Sequence, residues 1–124
     1  MNKVILSGRL SKDIEFGTTN NGVDYARSTI AVNRRFKNES GEYDADFINI
    51  VAWRNTAKYL NDYAKKGNKI AVCGTLQTRT YEAQDGTKRY ATEVVVDEAE
   101  ILESKNKEEK QEQLKEIPDS ELPF

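Results

Sequence analysis

The chain contains no histidine and one cysteine, Cys73. Without histidine it lacks the commonest general base and the commonest transition-metal ligand. One cysteine excludes an intrachain disulfide. Cys73 lies inside an apolar β-pattern, so it reads as a buried small hydrophobe rather than a reactive thiol. No window approaches the roughly 18 apolar residues of a membrane span. Met1-Asn2-Lys3-Val4 opens without the apolar run of a signal peptide. The expectation is a soluble, cytoplasmic protein with no membrane contact. Metal-dependent phosphodiester cleavage needs carboxylates converging on a cation. Asp44, Asp46, Asp85, Asp97 and Glu98 instead cluster on turns, with more acids in the tail. No catalytic residue, metal ligand or cofactor is expected, and the chain reads as a non-enzyme.

What is present is strand pattern. Val4, Leu6 and Leu10 alternate with Lys3, Ser7 and Arg9, which predicts a half-buried strand over 3–10. Asn20-Asn21-Gly22 marks a turn. A second strand follows, with Ala26, Ser28, Ile30 and Val32 opposite Tyr25, Arg27, Thr29 and Ala31. Asn38-Glu39-Ser40-Gly41 reads as a loop tip, and a third strand spans about 46–54. The period then changes: Ala57, Leu60 and Ala64 predict a helix over 55–66. Asn55 or Thr56 can cap its start, and Gly67 ends it. A fourth strand over 69–81 and a fifth over 88–97 flank the hairpin signal Asp85-Gly86. Three strands, one helix and two strands match an all-β, five-stranded OB-fold barrel with one helix between strands 3 and 4.

Beyond Leu102 the composition shifts to Glu, Lys, Gln, Ser and Asn, too polar to form a core. The domain expectation is a barrel over 1–102, a charged flexible linker over 103–118 and a C-terminal tip over 119–124, the last two forming a disordered acidic tail. The formal net charge is −2. Residues 103–124 hold seven acidic and four basic side chains, leaving the body fourteen acidic and fifteen basic, a net of +1. A body so nearly neutral can hold a polyanion only through locally concentrated cations or through stacking.

Stacking candidates are visible. In Phe47-Ile48-Asn49-Ile50-Val51-Ala52-Trp53 both faces are apolar, yet a small barrel has one interior. Ile48 and Ile50 suit that interior, so Phe47 and Trp53 project outward as platforms for unstacked bases. Cover for a sheet or a subunit interface explains these rings equally well at this stage. Phe36 sits among Arg34, Arg35 and Lys37, and Tyr81 shares a face with Gln77 and Arg79. Arginine beside an aromatic couples a phosphate contact to a stacking surface. Lys88 and Arg89 extend that path across the hairpin. Arg9, Arg27 and Arg54 can contact phosphates, although plain surface arginine is the default reading. Tyr25, Tyr59, Tyr63 and Tyr90 read as packing residues. At about 1–3 kcal/mol per stacked base, four rings make stacking a main source of affinity.

The chain ends Asp119-Ser120-Glu121-Leu122-Pro123-Phe124. A partner can bury the Phe124 ring and pair its α-carboxylate with a basic residue, with Pro123 limiting backbone freedom.

Together these segments resemble the bacterial single-stranded DNA-binding protein family, phage and plasmid members included. The carrying residues are Asn2 to Leu10, Ala31-Val32-Asn33-Arg34, Asp46-Phe47-Ile48-Asn49, Lys65-Lys66-Gly67, Gly74 to Tyr81 and Thr92 to Val96. The resemblance implies an OB fold, a homotetramer, and sequence-independent wrapping of single-stranded DNA. It also implies recruitment of replication, recombination and repair proteins by the tip. It assigns stacking to Phe36, Phe47, Trp53 and Tyr81. Family tips carry more Asp and end Ile-Pro-Phe, and family linkers are long and rich in Gly and Gln. Here the ending is Leu-Pro-Phe after a short charged stretch. The rival readings are an OB module for RNA, a nuclease on a similar barrel, and a protein adaptor.

Overall fold

The structure, a computed structural model, describes residues 1–103. Its elements in chain order are β1 (Val4–Leu10), β2 (Glu15–Thr18), β3 (Asp24–Lys37), β4 (Tyr43–Trp53), α1 (Arg54–Tyr63), β5 (Lys69–Glu82) and β6 (Lys88–Glu103). Five strands close on themselves in the order β1–β5–β6–β4–β3 and back to β1. The result is a mostly β, OB-like closed barrel with one helix. Pairing is antiparallel except at β4–β6, where Ile50, Val51 and Ala52 run parallel beside Val94, Val95 and Val96. The other short seam joins β1 to β3 through Arg9 opposite Ala31 and Leu10 opposite Ile30. At that crossing Gly8 is required by space, because a Cβ there would run into the carbonyl oxygen of Ala31.

The core follows the alternation. Leu10, Ile30, Ile50, Ile70, Val72 and Val94 are buried together inside the barrel, and α1 adds Ala57 and Leu60. Burying a side chain of this size stabilises by about 1.5–3 kcal/mol. Cys73 is the exception to expectation. It is half-buried, on the opposite side of β5 from the buried Val72 and Gly74.

Three features depart from the pattern read along the chain. The first is β2, a sixth strand too short to show alternation, which pairs with the start of β3 from Glu15 opposite Arg27 to Thr18 opposite Asp24. Counted with it, the helix lies between the fourth and fifth strands. The second is the length of β6, which runs past Asp97 to Glu103. Asp97 is an extra residue between Val96, opposite Gly74, and Glu98, opposite Cys73. That bulge moves the inward parity from Val94 and Val96 to Ala99 and Ile101, so a period-two reading stops there. The third is the helix start. Neither Asn55 nor Thr56 caps it: Trp53 occupies the N-cap position with no side-chain hydrogen bond, and the helix ends at Tyr63. Arg54 turns the corner with φ 57°, in the left-handed region.

The three hairpin turns share one design. Thr19, Asn38 and Ala83 each donate a backbone N–H to the residue four further on, and Gly22, Gly41 and Gly86 donate back to them. All three glycines have φ between 81° and 83°. No helix among the described residues is long and apolar enough to cross a membrane.

Candidate nucleic-acid interface

Register decides which side chains share the outer face. Across β3 and β4, Tyr25 stands opposite Trp53, Thr29 opposite Asn49, and Ala31 opposite Phe47. Ala31 is also opposite Arg9 of β1, so Arg9, Ala31 and Phe47 form one row across three strands. Val51 of β4 lies beside Val95 of β6, which carries the same outward parity into the second hairpin. There Gln77 faces Glu93, Arg79 faces Ala91, and Tyr81 faces Arg89. Arg9, Phe47, Trp53, Arg79, Tyr81 and Arg89 therefore all point away from the barrel interior.

The rings are open to solvent: Phe36 is 80% exposed, Phe47 67%, Tyr81 43% and Trp53 38%. Phe36 is reached differently from the others. The β3–β4 register slips between Asn33 opposite Ala45 and Lys37 opposite Tyr43, so β3 carries two extra residues. Residues 33–37 belong to this strand. The Arg35 guanidinium lies 5.9 Å from the Phe36 ring centre, and the Arg79 guanidinium 5.5 Å from that of Tyr81. Asn38 braces the turn beyond. Its Oδ1 accepts from the backbone N–H of Ser40 and Glu42, and its Nδ2 donates to Asp44.

The cations are less available than the sequence implies. Arg34 donates from both Nε and Nη2 to Asp46 Oδ1, at 3.2 and 3.0 Å. That hydrogen bonding, then the negative charge of Asp46, raises the Arg34 pKa. Arg79 pairs with Glu93 at 3.3 Å, Arg89 with Asp85 at 3.6 Å, and Arg9 with Glu103 at 2.9 Å. Thr87 donates to Asp85 from its hydroxyl and its backbone N–H, which lowers the Asp85 pKa. Such exposed pairs contribute little each and can exchange carboxylate for phosphate. Lys88 does not join the group, because alternation places it on the opposite side of β6 from Arg89. Arg54 sits at the strand–helix corner behind Trp53.

Tyr25, Arg27 and Tyr43 stand beside these rings; of the three, the sequence marks only Arg27, as a surface arginine that can contact phosphate. Tyr25 is half-buried with its ring centre 6.0 Å from that of Trp53. Arg27 lies over Tyr25 at 5.5 Å. Tyr43 is exposed, with the Lys37 ammonium 5.8 Å from its ring centre. Alternation had already turned Tyr25 and Arg27 outward; nothing local distinguished Tyr43. Tyr63 and Tyr90, expected to pack, are exposed, whereas Tyr59 is half-buried against the Tyr63 ring. Among the described residues no three Asp, Glu or Cys side chains stand together as a metal site. Asp119, Ser120, Glu121, Leu122, Pro123 and Phe124 lie outside the described residues.

The closed barrel, with open aromatic rings and cations on its outside, is OB-like. Residues 1–102 match the model of the single-strand binding protein family, and the chain belongs to that family. It is 50% identical over 106 residues to single-stranded DNA-binding protein 1 of Streptococcus pyogenes, covering 86% of this chain and 82% of the relative. It is 52% identical to the single-stranded DNA-binding protein of Bacillus cereus, across 86% of this chain and 62% of that longer protein. A Staphylococcus aureus single-stranded DNA-binding protein 1 is 47% identical over 114 residues, 92% of this chain and 73% of its own length.

Proposed function

We propose that this chain binds single-stranded DNA without sequence preference and performs no catalysis. Bases stack on Phe36, Phe47, Trp53 and Tyr81. Arg9, Arg34, Arg35, Lys37, Arg54, Arg79 and Arg89 contact phosphates, and Lys88 reaches the strand only around the edge of the hairpin. The single observation that carries this reading is the outward direction of the large rings, while aliphatic side chains fill the interior. Every base has a π-face, so such a surface accepts any sequence.

Titrating the full chain with oligo-dT at several salt concentrations tests this. Trp53 is the only tryptophan, so its fluorescence reports the site directly. Quenching that weakens with salt is expected. A response to duplex DNA with none to oligo-dT would overturn the reading, and degradation of DNA with magnesium would overturn the non-enzymatic part.

The proposal extends to assembly and recruitment. The β1 edge is unpaired over Val4–Ser7 among the described residues, and Ile5 is 75% exposed beside it. An open strand edge with apolar cover suits pairing with a second copy, and hence a homotetramer. Residues 104–118 serve as linker, Glu103 being the last residue of β6, and 119–124 recruit replication, recombination and repair proteins. Deleting Leu122–Phe124 is expected to abolish partner pull-down while sparing DNA affinity. Retained pull-down would remove the recruitment role.

A further inference from the structure

Trp53 is the one ring of the proposed stacking set that touches another ring among the described residues. Its neighbour Tyr25 stands directly opposite it in register, tilted by 56°. On the other side of Tyr25, in the same row, is Gly17 of β2. A Cβ at Gly17 would fall 2.5 Å from the Tyr25 hydroxyl oxygen and 2.6 Å from its Cζ. The Gly17 backbone does not itself need glycine, since its φ is not positive. The missing side chain is instead the slot in which the Tyr25 ring lies. Held between Gly17 and Trp53, the tyrosine has little freedom to turn.

Arg27 completes the arrangement. Glu15 stands opposite it in register, yet no ion pair forms between them. The guanidinium lies over the Tyr25 ring instead. Arg9, Arg34, Arg79 and Arg89 are all engaged by carboxylates, so Arg27 offers a phosphate a cation that needs no exchange.

We propose that Gly17, Tyr25 and Arg27 form a mount for Trp53: Tyr25 positions the indole, Gly17 makes room for Tyr25, and Arg27 takes the phosphate next to the base stacked on Trp53. This rests on the single-stranded DNA reading above. A ring fixed before binding loses less freedom when a base stacks on it. A guanidinium on the adjoining ring couples a charge contact to the stack.

The test uses the full chain with Tyr25→Leu, Tyr25→Phe, Gly17→Ala and Arg27→Gln. Without DNA, Tyr25→Leu and Gly17→Ala are expected to lower Trp53 fluorescence anisotropy and shift its emission, while Tyr25→Phe matches the parent. With oligo-dT, Tyr25→Leu and Gly17→Ala are expected to bind about two- to tenfold more weakly, the scale of an aromatic pair. Arg27→Gln should leave the emission unchanged and reduce the salt slope by about 0.7. Unchanged anisotropy and unchanged affinity in Tyr25→Leu would overturn the positioning role. If that variant does not fold, the same result in Gly17→Ala overturns it. An unaltered salt slope in Arg27→Gln removes the phosphate role. Failure of the parent chain to respond to oligo-dT defeats the underlying reading instead, and the anisotropy of free Trp53 still decides what Tyr25 does.

Discussion

The lower and upper halves of the same strands behave differently. Along β5, Ile70, Val72 and Gly74 are buried in alternation, whereas every residue from Leu76 to Glu82 is exposed. Along β3 the change comes at Asn33, from which five residues in succession, Asn33 to Lys37, are exposed. The halves that close the barrel hold the core, and the halves that extend beyond it form two hairpin arms carrying Phe36 and Tyr81. Phe47 and Trp53 lie on the outer wall between these regions. Stability and binding are thus separated along each strand. A side chain exposed in an arm can change with little effect on the core, because it lies outside the buried cluster.

The largest effect is expected where the barrel is tightest. Ile30 is fully buried, and Ile30→Ala should cost about 2–5 kcal/mol of unfolding free energy by urea titration. A similar loss from Phe36→Ala would break the contrast between barrel and arm. Phe47→Ala is expected to lose about 1–3 kcal/mol of oligo-dT affinity with its thermal midpoint unchanged.

Arg54 sharpens the boundary. Its left-handed backbone costs a non-glycine residue about 1–2 kcal/mol. Arg54→Gly should therefore raise the unfolding midpoint while weakening oligo-dT binding. A fall in both would show that Arg54 holds the corner by its side chain.

In the arms, Asp46→Asn removes the carboxylate holding Arg34. Oligo-dT binding is expected to tighten, and the salt slope to steepen by about 0.7 as Arg34 turns to a phosphate. The smallest effect concerns Asp85. Its folded pKa lies below the ordinary 3.8, so its contribution is complete above that value and is lost as pH falls through the lower one. Amide exchange in the 83–87 turn should stay constant from neutral pH down to about 4 and quicken only in stronger acid, after correction for intrinsic rates.

Much of this division can be read along the chain, and the misses have definite causes. Alternation over 3–10, 25–32 and 46–54 depends only on each strand's two faces, so Leu10, Ile30 and Ile50 are legible as inward. It also turned Phe47, Trp53 and Tyr81 outward. The helix start does not show in capping side chains, because the strand enters the helix directly through Arg54. The ion pairs of Arg34, Arg79 and Arg89 were not legible, because each depends on which residue a neighbouring strand or turn sets beside the arginine. The opposite parities of Lys88 and Arg89 do not show in a cluster of charges and follow only from the pairing of β5 with β6.

By itself, the sequence determined what is local: strand faces, the glycines that close the hairpins, the outward rings, and the change of composition after Leu102. Tertiary structure alone decided the parallel seam of β4 and β6, the bulge at Asp97 and the row Gly17–Tyr25–Trp53. Each of these is a matter of register between strands. Register is set when the barrel closes and all its rows must fit at once, a condition no single segment carries.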